Sequence, residues 1–313
     1  MVNILEIFVI TFNRSNLLDS TLSSLVESIP NSIRINVIDN NSTDNTHDIV
    51  VEYMNEGKNV RYIKNTVNIG ANANILRCFE YSQSNYTWIL GDDDIYDLKE
   101  FNVEFLNCLF NNQFKLIHVG AHETSWDFGG MIKTPNELIN EGYPYFKFSS
   151  FIGCNIFETK YFLDNFLIEG YNNIINAYPH MPYSYDVYIK KYPIYISKSK
   201  FVTAIWKHQN YNHDQWFSWW LGNALTYKNN KDKRVVFLNH FDNQINDELF
   251  EMLYKYAKDN NQYHLVNFFI SSCFNFHEKL LYRSLRLRKK RFFKFLARIY
   301  KTLAKIIFGN EKN

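Results

Sequence analysis

Short apolar runs alternate with amphipathic stretches through the first hundred residues. Ile4-Leu5-Glu6-Ile7-Phe8-Val9-Ile10 is rich in apolar and β-branched residues, which predicts a buried strand, and it breaks at Thr11-Phe12-Asn13-Arg14. Leu17, Leu18, Leu22, Leu25 and Val26 then recur at helical spacing, behind an N-cap at Ser15 or Asn16. Ile33 to Ile38 predicts a second strand that ends on Asp39-Asn40-Asn41-Ser42-Thr43-Asp44. Another helix begins near Asn45, and Val60-Arg61-Tyr62-Ile63 predicts a third strand. A polar stretch from Asn65 to Asn74 leads into a helix from Ile75 through Tyr81, and the strand Tyr86-Thr87-Trp88-Ile89-Leu90 ends on Gly91-Asp92-Asp93-Asp94. The rhythm is β-α-β-α-β-α-β. It predicts an α/β fold built on a doubly wound, mostly parallel sheet, whose ligand lies beyond the carboxyl ends of the strands. Thr11 to Arg14, Asp39, Asn68 to Asn74 and Asp92 to Asp94 all fall at those ends.

The pattern is less regular further on. A helix is expected from Phe101 to Leu109, a strand from Phe114 to Val119, and loop with a short helix from Glu123 to Glu141. Phe151 to Phe157, Tyr192 to Ser197 and Phe201 to Trp206 are expected as short strands, and the chain turns helical beyond Trp216. There Leu249, Met252, Leu253 and Tyr256 share one helical face.

Composition narrows the classes. No window reaches the ~18 to 20 apolar residues of a membrane span, and the first strand lacks a basic leader and a cleavage site, so a cytosolic protein is expected. The four cysteines lie far apart without a CxxC pair, which argues against a disulfide framework or a zinc site. Net charge is only +2, yet Lys279 to Lys305 carries 11 Lys or Arg and no acid, leaving 23 basic against 32 acidic residues elsewhere. Within that tail Phe292, Phe295, Leu296, Ile299, Leu303, Ile306 and Ile307 recur every three or four residues, with Arg291, Lys294, Arg298, Lys301 and Lys305 between them. A cationic amphipathic helix of this kind suits an anionic membrane surface. Nucleic acid and a partner protein are the competing readings; no nucleic-acid module accompanies the tail, and no nucleic acid is expected as a partner. Neither GxGxxG nor GxxxxGK[ST] occurs, which disfavours dinucleotide binding and P-loop hydrolysis.

Three successive carboxylates at a strand end repel one another unless a cation sits among them. Aspartate oxygens are hard ligands that bridge Mg²⁺ or Mn²⁺ to nucleotide phosphates. A solvated turn or helix N-cap would use the same residues. The strand end Val9 to Arg14, the loop Asp39 to Asp44, the turn Asn68-Ile69-Gly70 and Leu90-Gly91-Asp92-Asp93-Asp94 together resemble glycosyltransferase family 2 of the GT-A fold. The last of these stands where that family has its DxD motif. Spelling it Gly-Asp-Asp-Asp is similar to the abequosyltransferase-like subgroup of bacterial surface-polysaccharide transferases.

The resemblance implies a metal-dependent transfer of a sugar from a nucleotide-diphosphate donor to a saccharide, lipid-linked acceptor, at the inner face of a bacterial membrane. It gives donor contacts to Thr11, Phe12, Asn13, Arg14, Asp39, Asn68, Gly70, Asn74, Asp92 and Asp93. Asp39 would accept from the base, although it also suits a turn, and Arg14 would meet phosphate or base or remain solvated. Asp92 and Asp94 would hold Mn²⁺ or Mg²⁺, with His208, or His213, completing the shell; a packed or surface histidine is the plainer reading of both. Asp186 is the positional candidate for the base that takes the acceptor proton, with His180 behind it and Glu158 more distant. Asp186 equally suits a helix surface. The expected organisation is a nucleotide-sugar half over 1–110, an acceptor half over 111–215, a helical region over 216–278 and a membrane-associating tail over 279–313. A sugar-nucleotide nucleotidyltransferase would show a glycine-rich loop after the first strand, where Thr11 to Ser15 has no glycine. A non-catalytic glycan-binding protein would tolerate loss of the three aspartates.

Overall fold

The computed structural model describes residues 4–112, 114–121, 127–174, 178–203, 234–236, 238–239, 247–259, 261 and 263–287. The chain divides into two compact units, residues 1–211 and 212–313.

In the first unit the order begins β1 (Leu5–Thr11), α1 (Ser15–Ser28), β2 (Arg34–Asp39), α2 (Thr46–Asn55), β3 (Val60–Lys64), α3 (Ala71–Tyr81), β4 (Tyr86–Leu90) and β5 (Ile95–Tyr96). It continues with α4 (Val103–Asn112), β6 (Leu116–His118), β7 (Gly120–Ala121), β8 (Ile132–Lys133), α5 (Pro135–Asn140), α6 (Tyr145–Ser150) and β9 (Asn155–Glu158). The unit closes with α7 (Thr159–Asn165), α8 (Leu167–Asn172), α9 (Met181–Ile189), β10 (Ile194–Ile196) and β11 (Val202–Thr203). Eight strands form one sheet in the order β3-β2-β1-β4-β9-β6-β10-β8, and a smaller sheet runs β5-β11-β7. Strands β1 to β4 are mutually parallel, β9 runs against both β4 and β6, and β8 runs against β10.

Helices cover both faces, so the inner strands are apolar on both sides. Trp88 on β4 stacks on Phe101 at a centroid distance of 5.9 Å and donates its indole N–H to Gly153 O. On the other face Phe79 of α3 stacks on Phe162 of α7 at 3.6 Å. Glu6, buried inside β1, is satisfied by Gln83 N at 2.7 Å and by Arg34 and Ser82, as a buried carboxylate requires.

Register fixes what meets at the carboxyl edge. Thr11 pairs with Asp39, Asp39 with Lys64, and Val9 with Leu90, so the residues following Leu90 come level with Thr11. The smaller sheet joins Tyr96, just past the aspartates, to Val202, which also pairs with Gly120. The predicted strand at Phe151 to Phe157 begins only at Asn155, because α6 and a 3₁₀ turn over Ile152–Cys154 take up the residues before it. The third helix begins at Ala71 and not Ile75, with Gly70 at φ +83° as its N-cap, which places Asn74 inside the helix.

The second unit contains α10 (Asp247–Asp259), α11 (Tyr263–Cys273) and α12 (Phe276–Leu287). Leu253 and Tyr256 of the predicted face are buried, beside Phe250, Phe269 and Phe274. Helix α12 starts on a reciprocal cap, with Asn275 N donating to Glu278 and Glu278 N to Asn275. Glu278 also takes a two-pronged contact from Arg234, at 2.5 and 2.6 Å. No helix among the described residues is long and apolar enough to cross a membrane. The tail beyond Leu287, which holds most of the predicted amphipathic helix, lies outside the described residues.

Candidate active site

Three loops meet at the carboxyl ends of β1, β2 and β4. Asn13 takes φ +52° and Asn41 φ +71°, a left-handed backbone that asparagine tolerates better than most residues. The loops are tied across: Asn13 N donates to Ser42 Oγ at 2.9 Å, and Thr43 N to Asn13 Oδ1 at 2.8 Å. Asp44 Oδ2 accepts from Ser15 N at the start of α1. Asparagines bind the next turn: Asn40 Oδ1 accepts from Ile69 N and from Asn65, and Asn40 donates to Asn68 Oδ1, which also accepts from Gly70 N.

Asp39 is wholly buried. Its Oδ1 accepts from Ser42 N at 2.7 Å and its Oδ2 from the Tyr62 hydroxyl at 2.5 Å, with Lys64 Nζ 3.9 Å away. Burial, and then the Asp39 carboxylate, push the Tyr62 phenol well above its ordinary range. Lys64 donates in turn to Ser42 O at 2.7 Å. As folded, the carboxylate faces the protein, and a donor from a ligand reaches it only by displacing Tyr62 or sharing its acceptor. The groups presented outward here are the half-buried Tyr62 ring and the Lys64 ammonium.

The acidic turn is asymmetric. Asp92 is buried; Thr11 Oγ1 donates to its Oδ2 at 2.7 Å, and Arg14 Nη1 to its Oδ1 at 3.1 Å. The same Nη1 reaches Asp93 Oδ2 at 2.8 Å. Burial raises the Asp92 pKa, and Thr11 and Arg14 work against that rise. Thr21 of α1 donates to Asp92 O, and the Tyr96 hydroxyl to Gly91 O at 2.6 Å, which fixes the turn from both sides. A Cβ on Gly91 would meet Asp93 Oδ1 and Asp94 Oδ2, each at 3.0 Å. The missing methyl leaves a cradle over which these two carboxylate oxygens converge. Beyond the turn, the buried Cys154 thiol is raised by burial and by Asp94 and lowered by Lys200, so both charges lie about it.

That cradle fits a hard divalent cation of the kind held by one or two carboxylates plus substrate phosphates. It is not a cage of protein ligands alone, since no three His, Cys, Asp or Glu side chains gather as a metal site among the described residues. Asp94 and Asp93 are the oxygens placed for it, while Asp92, expected as a ligand, has both oxygens engaged by Thr11 and Arg14. His208 and His213 lie outside the described residues.

The second half of the chain departs from expectation. Glu158 pairs with Tyr86 at the start of β4, so the residues after Glu158 lie at the sheet's opposite edge. Asp186 is there: it accepts from the Tyr161 hydroxyl at 2.7 Å and pairs with Lys190 at 3.1 Å. At ~3.3 Å per strand residue, Tyr86 and Asp92 are on the order of 20 Å apart. Asp186 and Glu158 are therefore not brought to the acidic turn. His180 is buried, with Nε2 on Ser149 O at 3.0 Å, and burial lowers its pKa to about 4. Asn74 is also withdrawn, its side chain spent on Ile38 O and Asn65. Asn68 and Gly70 stay at the edge, open to solvent, as does Phe12.

Tyr62, Lys64, Thr21, Tyr96 and Asn40 were not singled out from the sequence. Only the pairing of Asp39 with Lys64 carried a signal for the first two, and it needs the sheet register.

Residues 6–144 match the family model for Glycosyl transferase family 2. The match covers 139 of the 313 residues, and over that segment the chain is similar to glycosyltransferase family 2. Thr11, Arg14, Asp39 and the acidic turn all lie inside the matched segment, and Asp186 and His180 lie outside it. Abequosyltransferase RfbV of Salmonella typhimurium is 29% identical over 120 residues, 37% of this chain and 35% of that protein. An uncharacterized glycosyltransferase, MG060 of Mycoplasma genitalium, is 25% identical over 104 residues, 32% of this chain and 35% of that protein. The aligned part thus spans about a third of each curated relative. Among solved structures, S. aureus TarS 1-349 in complex with UDP superposes with a TM-score of 0.61 at 12% identity, covering 96% of this chain and 91% of that one. Mannosyltransferase PcManGT from Pyrobaculum calidifontis, in complex with GDP-Man and Mn²⁺, gives 0.55 at 10% identity over 99% and 89%. These likenesses show the GT-A fold that the sequence leads one to expect.

Proposed function

We propose that this chain is a glycosyltransferase that moves a sugar from a nucleotide-diphosphate donor to a saccharide acceptor, with the donor's diphosphate at the acidic turn. One observation carries this reading: within the segment similar to family 2, Thr11, Arg14 and the turn Gly91 to Asp94 converge on the carboxyl edge of the sheet, where two carboxylate oxygens meet over a residue with no side chain.

Asp94 and Asp93 would hold Mn²⁺ or Mg²⁺ there, and the cation, when bound, stabilises the charge that develops on the departing nucleoside diphosphate. The chain's own residues do the positioning. Thr11 and Thr21 hold Asp92, Tyr96 holds the Gly91 carbonyl, and the exposed Phe12 ring flanks the loop where the base would lie. Asp39 acts through Tyr62 and Ser42, shaping that loop from beneath. Asp186 and His180 are not assigned the proton-accepting role, because Asp186 lies toward the opposite edge of the sheet and His180 is buried with its Nε2 engaged by Ser149 O.

The acceptor is read as lipid-linked, in the assembly of a bacterial surface polysaccharide, with the protein peripheral on the inner face of the membrane. Support for this comes from the basic, periodically apolar tail from Lys279 onward and from the partial match to an abequosyltransferase. The reading is tested by incubating the protein with radiolabelled UDP-, GDP-, CDP- and dTDP-sugars, Mn²⁺ and lipid-extracted acceptor. Label moving into the lipid fraction is expected from one donor, and an absence of transfer or donor hydrolysis with every donor would reject it.

A further inference from the structure

Arg14 is placed oddly for a residue that serves only as a ligand contact. One nitrogen, Nη1, donates to both Asp92 Oδ1 and Asp93 Oδ2, at 3.1 and 2.8 Å. Both bonds leave from that single nitrogen of the fork, and the side chain is 38% exposed against 4% for Asp92 and 10% for Asp93. The guanidinium is thus a bridge with one edge on the carboxylates and the other, still carrying N–H donors, toward solvent. Its backbone is fixed as well, since Arg14 O accepts from Leu17 N and Leu18 N at the first turn of α1.

Resting on the reading above, we propose that Arg14 is the resident cation of the acidic turn. It holds Asp92 and Asp93 together before a metal arrives, opposes entry of a bare divalent cation, and turns its outer edge to the donor's diphosphate. Adjacent carboxylates repel one another, and Arg14 sets between Asp92 and Asp93 a positive charge that the protein never releases. Because Asp92 is also held by Thr11, the turn keeps its shape when Arg14 shifts toward phosphate. A free Mn²⁺ would meet a like charge at the cradle. A Mn²⁺ that comes with a diphosphate would not, because the phosphate oxygens screen the guanidinium and accept from it. The turn would then favour the metal–nucleotide complex over the metal alone, making Arg14 a positioning residue whose effects on metal and on nucleotide have opposite sign.

The test compares wild type with Arg14→Met, which keeps the aliphatic stem, and Arg14→Lys, which keeps the charge without the fork. Manganese chloride binding to the nucleotide-free protein is read from the electron paramagnetic resonance signal of hexaaqua Mn²⁺. Binding of UDP, GDP, CDP and dTDP without metal, and of the matching nucleosides, is read by calorimetry. For Arg14→Met, Mn²⁺ is expected to bind about tenfold tighter and the diphosphate about tenfold weaker, with the nucleoside unchanged. For Arg14→Lys, Mn²⁺ affinity is expected to stay at the wild-type value while the diphosphate weakens about threefold. Unchanged or weaker Mn²⁺ binding in a folded Arg14→Met overturns the inference while leaving the transferase reading intact. If Arg14→Met does not fold, Arg14→Lys decides, and wild-type diphosphate affinity in that variant overturns the inference. A wild-type protein that binds no nucleoside diphosphate, with or without Mn²⁺, overturns both.

Discussion

The carboxylate of Asp39 has no contact with water, and two donors sustain it there, Ser42 N and the Tyr62 hydroxyl. Removing the hydroxyl as Tyr62→Phe strips one donor from a buried charge, which typically costs about 1–3 kcal/mol. A lower denaturant midpoint with an unchanged m-value is expected, together with weaker nucleotide binding as the loop at Ser42 loosens; wild-type stability would show that the bond contributes nothing. Asp94→Ala differs, since Asp94 is only half-buried at the cradle. Stability is expected to hold within about 1 kcal/mol while metal-dependent transfer is lost, as for surface changes that delete a functional contact. Turnover at the wild-type rate would remove its metal role. At this scale the sequence was informative where polar residues end apolar strands, as at Thr11, Asp39 and Asp92 to Asp94. It was silent on partners such as Tyr62, because a bond across 23 residues depends on which strands pair and in what register.

Two glycines separate function from stability among the elements. At Gly91 an added Cβ meets only the far ends of Asp93 and Asp94, which can swing away. Gly91→Ala is therefore expected to keep the melting temperature within a few degrees, about 1 kcal/mol for a domain of this size, yet to weaken Mn²⁺-dependent nucleotide binding. At Gly120 a Cβ would meet the Val202 carbonyl at 2.7 Å and Cys154 Sγ at 3.1 Å, inside the smaller sheet. Gly120→Ala is expected to destabilise by about 1–3 kcal/mol, the usual range for overpacking; thermal melts of the two variants side by side would expose a reversed order. The first three strands were legible because each precedes an amphipathic helix, and β4 because its apolar run ends abruptly on three aspartates. The later half was not, since β5, β7, β8 and β11 have two residues each, too few for any periodicity to register. Asp186 was misplaced for the same reason: its distance from the turn depends on β9 running antiparallel to β4, which a four-residue strand does not announce.

At the scale of the folded unit over residues 1–211, two buried histidines contribute to the response to acid. Burial lowers His118 to about 3 and His180 to about 4, against an ordinary 6.5. Between about pH 6.5 and 4 the unfolded chain binds these protons and the folded one does not, so stability is complete above that window and lost as pH falls through it. Each histidine removes up to about 1.4 kcal/mol per pH unit. Asp92, raised by burial, acts in the opposite sense, with Thr11 and Arg14 limiting it. Melting temperature is expected to fall from pH 7 to pH 5, and more gently in His180→Gln; parallel slopes would contradict the assignment. Deleting residues 288–313 leaves α12 whole and is expected to abolish sedimentation with anionic vesicles, whereas a truncated protein that still pellets would reject the tail as the anchor. A nucleoside diphosphate held through a cation at the acidic turn is the central claim. The most direct measurement is the melting temperature with UDP, GDP, CDP and dTDP, each with and without Mn²⁺, for wild type and Asp94→Ala. One nucleotide raising the wild-type value by several degrees only when Mn²⁺ is present, and failing to do so in Asp94→Ala, is the expected result. Equal shifts in both proteins, or none with any nucleotide, would contradict it.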